Sequence, residues 1–271
     1  MSKQFLINGS ASKKISPFDR AFQYGDGIFR TFVVEHQIPR HWKYHYQKIV
    51  DDCRAINILP PKEKDLLSDI KRLFKTQKKA VGKFIISRGE SLRGYQFSSS
   101  IKPNRFLLKT KIPTYPTKNF ALGVNLTICK QHLHPSMLSG IKHLNRLDNV
   151  MARNEWKDRH YVDGILLDPQ GQVIECISSN LFFRMGKIIY THPLKNIGVK
   201  GVTRNLIFKI APTLGFKMKE VTFNFNKLLK ADEVFITNSL FGVWQVKKIK
   251  NTSWQQQSLA SLLNELLKAI P

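Results

Sequence analysis

The chain has 271 residues, enough for one large domain or two of ordinary size, with 42% hydrophobic and 23% charged residues, near the average of soluble globular proteins. That balance excludes a disordered chain, a collagen-like repeat and a coiled coil. Lys and Arg number 44 against 19 Asp and Glu, a formal net charge of +25, which attracts polyanions and raises nucleic acid or an anionic small molecule as partners.

In chain order, Phe5-Leu6-Ile7 reads as a short strand. Residues 42–57 read as a helix with Ile49, Cys53 and Ile56 inward, and 65–79 as a second helix with Leu66, Leu67, Ile70, Leu73 and Phe74 on its buried stripe. The densest basic cluster, Lys71, Arg72, Lys75, Lys78 and Lys79, then lies on that helix's solvated face. No zinc-finger spacing, basic helix leading into heptads or RNP-like aromatic motif accompanies it, so the charge points to an anionic substrate and not to nucleic acid. Residues 83–87 and 106–108 read as strands, and Pro113-Thr114-Tyr115-Pro116 suits a domain junction. The expected division is a small N-terminal α/β domain over 1–112, a linker over 113–118 and a larger C-terminal domain over 119–271.

Beyond the junction, strands are predicted at 121–128, 164–167, 173–176, 181–184 and 187–190, with Asp168-Pro169-Gln170-Gly171 as the first hairpin turn. Helical patterns cover 146–158, 204–213 and the C-terminus, where Leu259, Leu262, Leu263, Leu266, Leu267 and Ile270 form one stripe. The fold class expected is α/β (α+β) in two domains. Cys53, Cys129 and Cys176 lie far apart and form no CxxC, which argues against disulfides or structural zinc and for a reducing compartment. The apolar run of MSKQFLINGS is too short for a signal peptide, and no stretch nears the ~18 apolar residues of a membrane span. A soluble cytoplasmic protein without membrane partners is expected. His132 and His134 sit beside Pro135 with no nearby carboxylate, so they read as loop histidines and no metal is expected.

Tyr24-Gly25-Asp26-Gly27 lacks the GxGxxG spacing, and neither GxSxG nor HExxH occurs. Three other segments look chemical. In Gly140-Ile141-Lys142-His143-Leu144-Asn145-Arg146-Leu147, a lysine ahead of an amphipathic helix could act as a nucleophilic amine once desolvated. In Glu175-Cys176-Ile177-Ser178-Ser179-Asn180-Leu181-Phe182, a carboxylate at a strand end could serve a cofactor, although a surface glutamate on a tight loop would read the same. In Gly198-Val199-Lys200-Gly201-Val202-Thr203-Arg204, free N–H groups at a helix start form an anion cradle.

Taken in this order and followed by Asp232-Glu233-Val234-Phe235, these strings resemble the class IV aminotransferase family, the fold-type IV pyridoxal-phosphate enzymes, from Phe5 to about Val246. Within it the likeness is nearest to the aminodeoxychorismate lyases. Phe5-Leu6-Ile7-Asn8-Gly9, Asp19 to Gly27, Ile86-Ser87-Arg88-Gly89, Arg93-Gly94-Tyr95 and Asn238-Ser239-Leu240 carry that nearer likeness. The Arg-Asn-His carboxylate trap of the D-amino acid aminotransferases is absent near Arg93.

The resemblance implies a cofactor and substrate pocket between the domains, a homodimer, and pyridoxal 5'-phosphate as cofactor. It implies conversion of 4-amino-4-deoxychorismate, a dicarboxylate, to 4-aminobenzoate and pyruvate in folate biosynthesis. The runner-up is a D-amino acid or branched-chain aminotransferase. By resemblance Lys142 bonds to the cofactor and moves the substrate proton, and Glu175 meets the pyridine nitrogen. Val202, Thr203 and Ser239 hold the phosphate, and Thr31 relays a proton near the leaving group. Arg93 and Tyr95 take one substrate carboxylate, and Arg88 or Asn238 the other. The family's phosphate arginine lies in a His-x-x-Arg-Leu string. Here the string is His45-Tyr46-Gln47-Lys48-Ile49, so Lys48 keeps the charge and loses the bidentate fork, with Lys43 or Arg54 as substitutes.

Overall fold

Along residues 27–35 the side chains of Ile28, Arg30, Phe32 and Val34 are buried while Phe29, Thr31 and Glu35 stay half-exposed, the period-2 signature of a strand covered on one face. The structure, a computed structural model, describes residues 4–11 and 14–270, so the extreme ends of the expected domains lie outside the described residues. Two units emerge: the chain up to Pro113 together with Ile141–Asn145, and Thr114–Gly140 with Arg146–Ile270.

The first unit contains β1 (Phe5–Ile7), α1 (Arg20–Tyr24), β2 (Gly27–Glu35), β3 (Ile38–Pro39), α2 (Trp42–Ala55), α3 (Glu63–Leu73), β4 (Lys79–Ser87) and β5 (Asn104–Thr110). Its five strands form one antiparallel sheet in the order β1-β5-β4-β2-β3. The inward faces of β2 and β4 meet the apolar stripes of α2 and α3, with Phe32 and Phe84 ring centroids 5.7 Å apart beside Ile49, Leu66 and Ile70. Helix α3 ends at Leu73, short of the expected 79, because Lys79 opens β4 opposite Glu35 and pairs with it at 2.5 Å. Lys79 therefore leaves the helical basic face.

The expected boundaries placed Lys142 in the C-terminal domain. The structure groups its segment with the first unit instead, because Ile28 bridges His143, the Phe29 N–H donates to the Lys142 carbonyl at 2.9 Å, and Ile141 joins the first core.

The second unit contains α4 (Lys118–Ala121), β6 (Val124–His132), α5 (Leu147–Arg153), β7 (Tyr161–Leu167), β8 (Val173–Cys176), β9 (Asn180–Met185) and β10 (Ile188–Thr191). It continues through α6 (Val202–Ile210), a 3-10 turn, β11 (Lys217–Glu220), α7 (Phe225–Leu229), β12 (Glu233–Asn238), β13 (Gly242–Ile249), β14 (Thr252–Ser253) and α8 (Leu259–Ala269). Its nine-stranded sheet runs β11-β10-β9-β12-β13-β6-β7-β8, with β14 beside β13. The sheet is mixed, with β6 parallel to both β13 and β7 and a β7–β8 hairpin turning at Asp168–Gly171. Leu259, Leu263 and Leu267 are the buried stripe of α8, while Leu262 is exposed. Among the described residues no helix is long and apolar enough to cross a membrane.

Phe84 is fully buried between the helices and the sheet of the first unit. Phe84→Ala is expected to destabilise that unit by about 3–5 kcal/mol, the usual loss for an aromatic truncated in a core, read as a lower denaturation midpoint in urea.

Candidate active site

Lys142 is held at its backbone. Its N–H donates to Asp52 Oδ2 at 3.2 Å, its carbonyl accepts from Phe29, and its ammonium lies 4.7 Å from the Phe29 ring centroid. Lys83 places a second ammonium 4.5 Å from the same ring, and β-sheet register sets Lys83 opposite Thr31. Phe29 and Thr31 share the face of β2 turned away from the apolar core, and Lys83 belongs to the same half-exposed row. Burial lowers the pKa of Lys83.

The opposite face of β2 carries Arg30, only 2% exposed, which pairs with Asp52 on α2. Lys48, one helical turn before Asp52, places its ammonium 2.7 Å from Asp52 Oδ1. Desolvation lowers the Lys48 pKa, and Arg30 adds to the effect while Asp52 opposes it. His45, the first residue of the His-x-x-Lys-Ile string, is buried with its ring 5.6 Å from Phe32. Burial, and then the neighbouring charges of Arg30 and His41, lower its pKa to about 3, so the imidazole is neutral.

Arg88 corrects an expectation. Expected at a substrate carboxylate, it is buried and every guanidinium nitrogen is engaged. Nε and Nη2 donate to Asp26 at 2.8 and 3.0 Å, and Nη1 and Nη2 donate to the carbonyls of Asn57 and Ile56 at 2.7 Å. It is a structural tie. Arg20 works alongside it, bonding Asp26 at 2.8 Å and the carbonyls of Gly94 and Tyr95 at 2.9 and 3.1 Å. That grip fixes the backbone of the loop bearing Arg93 and Tyr95, whose side chains are exposed.

In the second unit, Glu175, the third residue of β8, is 5% exposed, and both its carboxylate oxygens lie 3.1 Å from the Val199 N–H. Asn180 is the link that sequence reasoning missed. Its amide donates to Glu175 Oε2 at 3.0 Å and to the Val199 carbonyl at 2.8 Å, and its carbonyl accepts from Gly201 at 3.2 Å. One side chain thus joins the carboxylate to the turn that starts α6. Gly201 permits this approach, since a Cβ there would stand 2.4 Å from Asn180 Oδ1. Asp163 pins the intervening turn, accepting from the Ser178 and Ser179 hydroxyls at 2.8 Å each. Burial raises the Asp163 pKa, and those hydrogen bonds partly offset the rise.

Helix α6 begins at Val202 with Gly201 as a cap that makes no side-chain bond, and its first intrahelical N–H donor is Asn205. The Thr203 hydroxyl is buried there without a hydrogen-bond partner. A buried hydroxyl next to the uncapped N–H groups of a helix start is a site built for an anion. Asn238 is engaged in its own turn, accepting from Leu240 and Phe241 at 2.9 and 3.0 Å and donating to the Ser178 carbonyl at 3.3 Å. Ser239 follows it, half-buried. The residues of this unit therefore fit a group carrying a basic ring nitrogen and a phosphate, which is the chemistry of pyridoxal 5'-phosphate.

Arg30, Asp52 and Asn180 were the residues the sequence reading passed over. The signals available were an arginine between core-facing Ile28 and Phe32, which demands a counter-charge, and a carboxylate four residues after Lys48.

The family described as amino-transferase class IV matches residues 27–249. The chain is 31% identical to an aminodeoxychorismate lyase of Vibrio harveyi over 90% of this chain and 91% of that protein. It is 28% identical to a D-alanine aminotransferase of Bacillus licheniformis over 85% of this chain and 81% of that one. A solved 4-amino-4-deoxychorismate lyase from Pseudomonas aeruginosa superposes with a TM-score of 0.93 at 32% identity, covering 98% of both chains.

Because His45 stays neutral when folded and binds a proton when unfolded, acid should weaken the fold. The stability attached to it is complete above the unfolded value of 6.5 and is lost as pH falls towards about 3, by at most about 1.4 kcal/mol per pH unit. His45→Gln is expected to flatten that part of the stability profile, measured by urea unfolding between pH 7 and about 4.

Proposed function

The chain belongs to the class IV aminotransferase family, and we infer that within it this protein is a pyridoxal-phosphate-dependent aminodeoxychorismate lyase, converting 4-amino-4-deoxychorismate to 4-aminobenzoate and pyruvate. The observation that carries this reading is the near-complete match to a lyase of known structure, 32% identical with a TM-score of 0.93. The engaged Glu175–Asn180–Gly201 chain and the unpartnered Thr203 hydroxyl support the cofactor assignment.

Pyridoxal 5'-phosphate supplies an electron-poor ring that stabilises the charge left when a C–H bond breaks. Lys142 holds the cofactor through its amine and takes the proton from the substrate carbon that bears nitrogen. Glu175, kept in place by Val199 and Asn180, holds a proton at the pyridine nitrogen. The first turn of α6 and Thr203 bind the phosphate, with Ser239 beside the β12–β13 turn adding a hydroxyl. Lys48 contributes a cation whose charge is shared with Asp52. Thr31, on the same face of β2 as Phe29, relays the proton to the departing enolpyruvyl group, which leaves as pyruvate while the ring becomes aromatic. Arg93 and Tyr95 offer a guanidinium and a phenol to a substrate carboxylate, from a loop whose backbone Arg20 fixes.

A homodimer accompanies this reading, supported by the exposed side chains of Phe22 and Leu92 in the first unit, apolar surface that self-association covers. The three unpaired, buried cysteines suit a reducing cytoplasm. A second reading, an aminotransferase, is supported by the 28% identity to the Bacillus licheniformis enzyme and uses the same lysine and glutamate.

The purified protein is expected to release 4-aminobenzoate and pyruvate in equal amounts from 4-amino-4-deoxychorismate, with little amino exchange between D-alanine or L-leucine and 2-oxoglutarate. Rapid exchange without 4-aminobenzoate would assign the aminotransferase. Borohydride reduction followed by peptide mapping should fix the cofactor on Lys142, and Lys142→Ala should abolish turnover. Glu175→Gln should keep the cofactor bound and lose at least ~10²-fold in kcat, the scale of a misplaced acid–base partner.

A further inference from the structure

We propose that Asp52 is a positioning residue for Lys142, acting through the backbone; the proposal rests on the reading of Lys142 as the reactive lysine. Asp52 is 1% exposed near the C-terminal end of α2. Its Oδ2 accepts both the Arg30 guanidinium and the Lys142 backbone N–H, the latter at 3.2 Å, and its Oδ1 faces the Lys48 ammonium at 2.7 Å. The contact to Lys142 crosses 90 positions of sequence. It ties helix α2 to a segment whose backbone also bonds to β2, at Phe29 and Gly27.

The physical logic is that of a fixed acceptor. A hydrogen bond from a backbone N–H to an ionised carboxylate is stronger than one to a neutral group. A carboxylate already clamped by Arg30 and Lys48 cannot swing away, so the N–H that reaches it is held in one place. The Lys142 backbone is thereby fixed on two sides, its carbonyl by Phe29 and its N–H by Asp52. The amine at the end of that side chain inherits the placement. Misplacing a reacting group by about 1 Å costs on the order of 10²-fold in rate.

A different role for Asp52, plain charge balance for two buried cations, makes the opposite prediction, and two variants separate them. Asp52→Asn keeps an oxygen able to accept the Lys142 N–H but removes the counter-charge of Arg30 and Lys48. Arg30→Met/Asp52→Leu removes that acceptor but leaves the cluster with the net charge of the wild type, and apolar replacement of a buried ion pair is generally tolerated. The first measurement is amide hydrogen exchange at Lys142 in the cofactor-free proteins, and the second is kcat and KM of the loaded enzymes.

Positioning predicts the order wild type, Asp52→Asn, then the double variant, for both protection of the Lys142 amide and kcat. The double variant should exchange at least ~10-fold faster at that amide and fall ~10²-fold in kcat, with KM moved less than about threefold. A double variant that matches wild type in either measurement, or that outperforms Asp52→Asn in both, overturns the proposal in favour of charge balance. Borohydride mapping of the wild type is run alongside. Labelling of a lysine other than Lys142 defeats the functional reading, while the exchange order still judges the clamp.

Discussion

Removing a carboxylate from water costs several kcal/mol unless partners replace the lost hydration, and the first unit is organised around one that has them. Asp52 draws in a guanidinium from β2, an ammonium from its own helix and a backbone N–H from the segment at 141–145. Each partner comes from a different part of the chain, so the carboxylate meets all three only when α2 has docked on the sheet and the lysine segment lies along β2. The same burial explains the neutral His45, which sits under Phe32 beside the positive charge of Arg30. A charged imidazole there would add a third cation to a site with one buried anion.

The second unit buries carboxylates of its own, Glu175 and Asp163 among them. Glu175 is buried and accepts from a turn N–H and an asparagine amide, while Asp163 is held by two serine hydroxyls and backbone N–H groups. Dipoles of this kind replace lost hydration without adding net charge. The Thr203 hydroxyl is the exception, buried at the start of α6 without a hydrogen-bond partner among the described residues.

Arginines divide by partner, and sequence type alone does not separate them. Arg88 and Arg93 lie five residues apart in the chain. Arg88 is locked against Asp26 and two carbonyls, whereas Arg93 is exposed on a loop whose backbone Arg20 grips. The large positive charge follows the same division: a few cations, Arg30, Lys48, Lys83 and Lys142 among them, are buried or half-buried, while many lysines lie in solvent.

From the residues alone came the mixed α/β class, most of the strands of the second unit, both long helices of the first, and the family through its strings around Lys142, Glu175 and Thr203. Those features are local: a period of two or 3.6, a turn at Asp168–Gly171, a glycine-rich approach to a helix start. Strand β2 was hidden because Arg30 and Thr31 interrupt its apolar run, and helix α3 was read too long because only pairing with Glu35 turns Lys79 into a strand residue. The attachment of 141–145 to the first unit, the use of Arg88 as a tie, the Asn180 bridge and the Asp52 clamp were decided by tertiary structure. Their hydrogen bonds join groups as far as 120 residues apart, and a contact made across that distance leaves no period in the sequence from which it could be read.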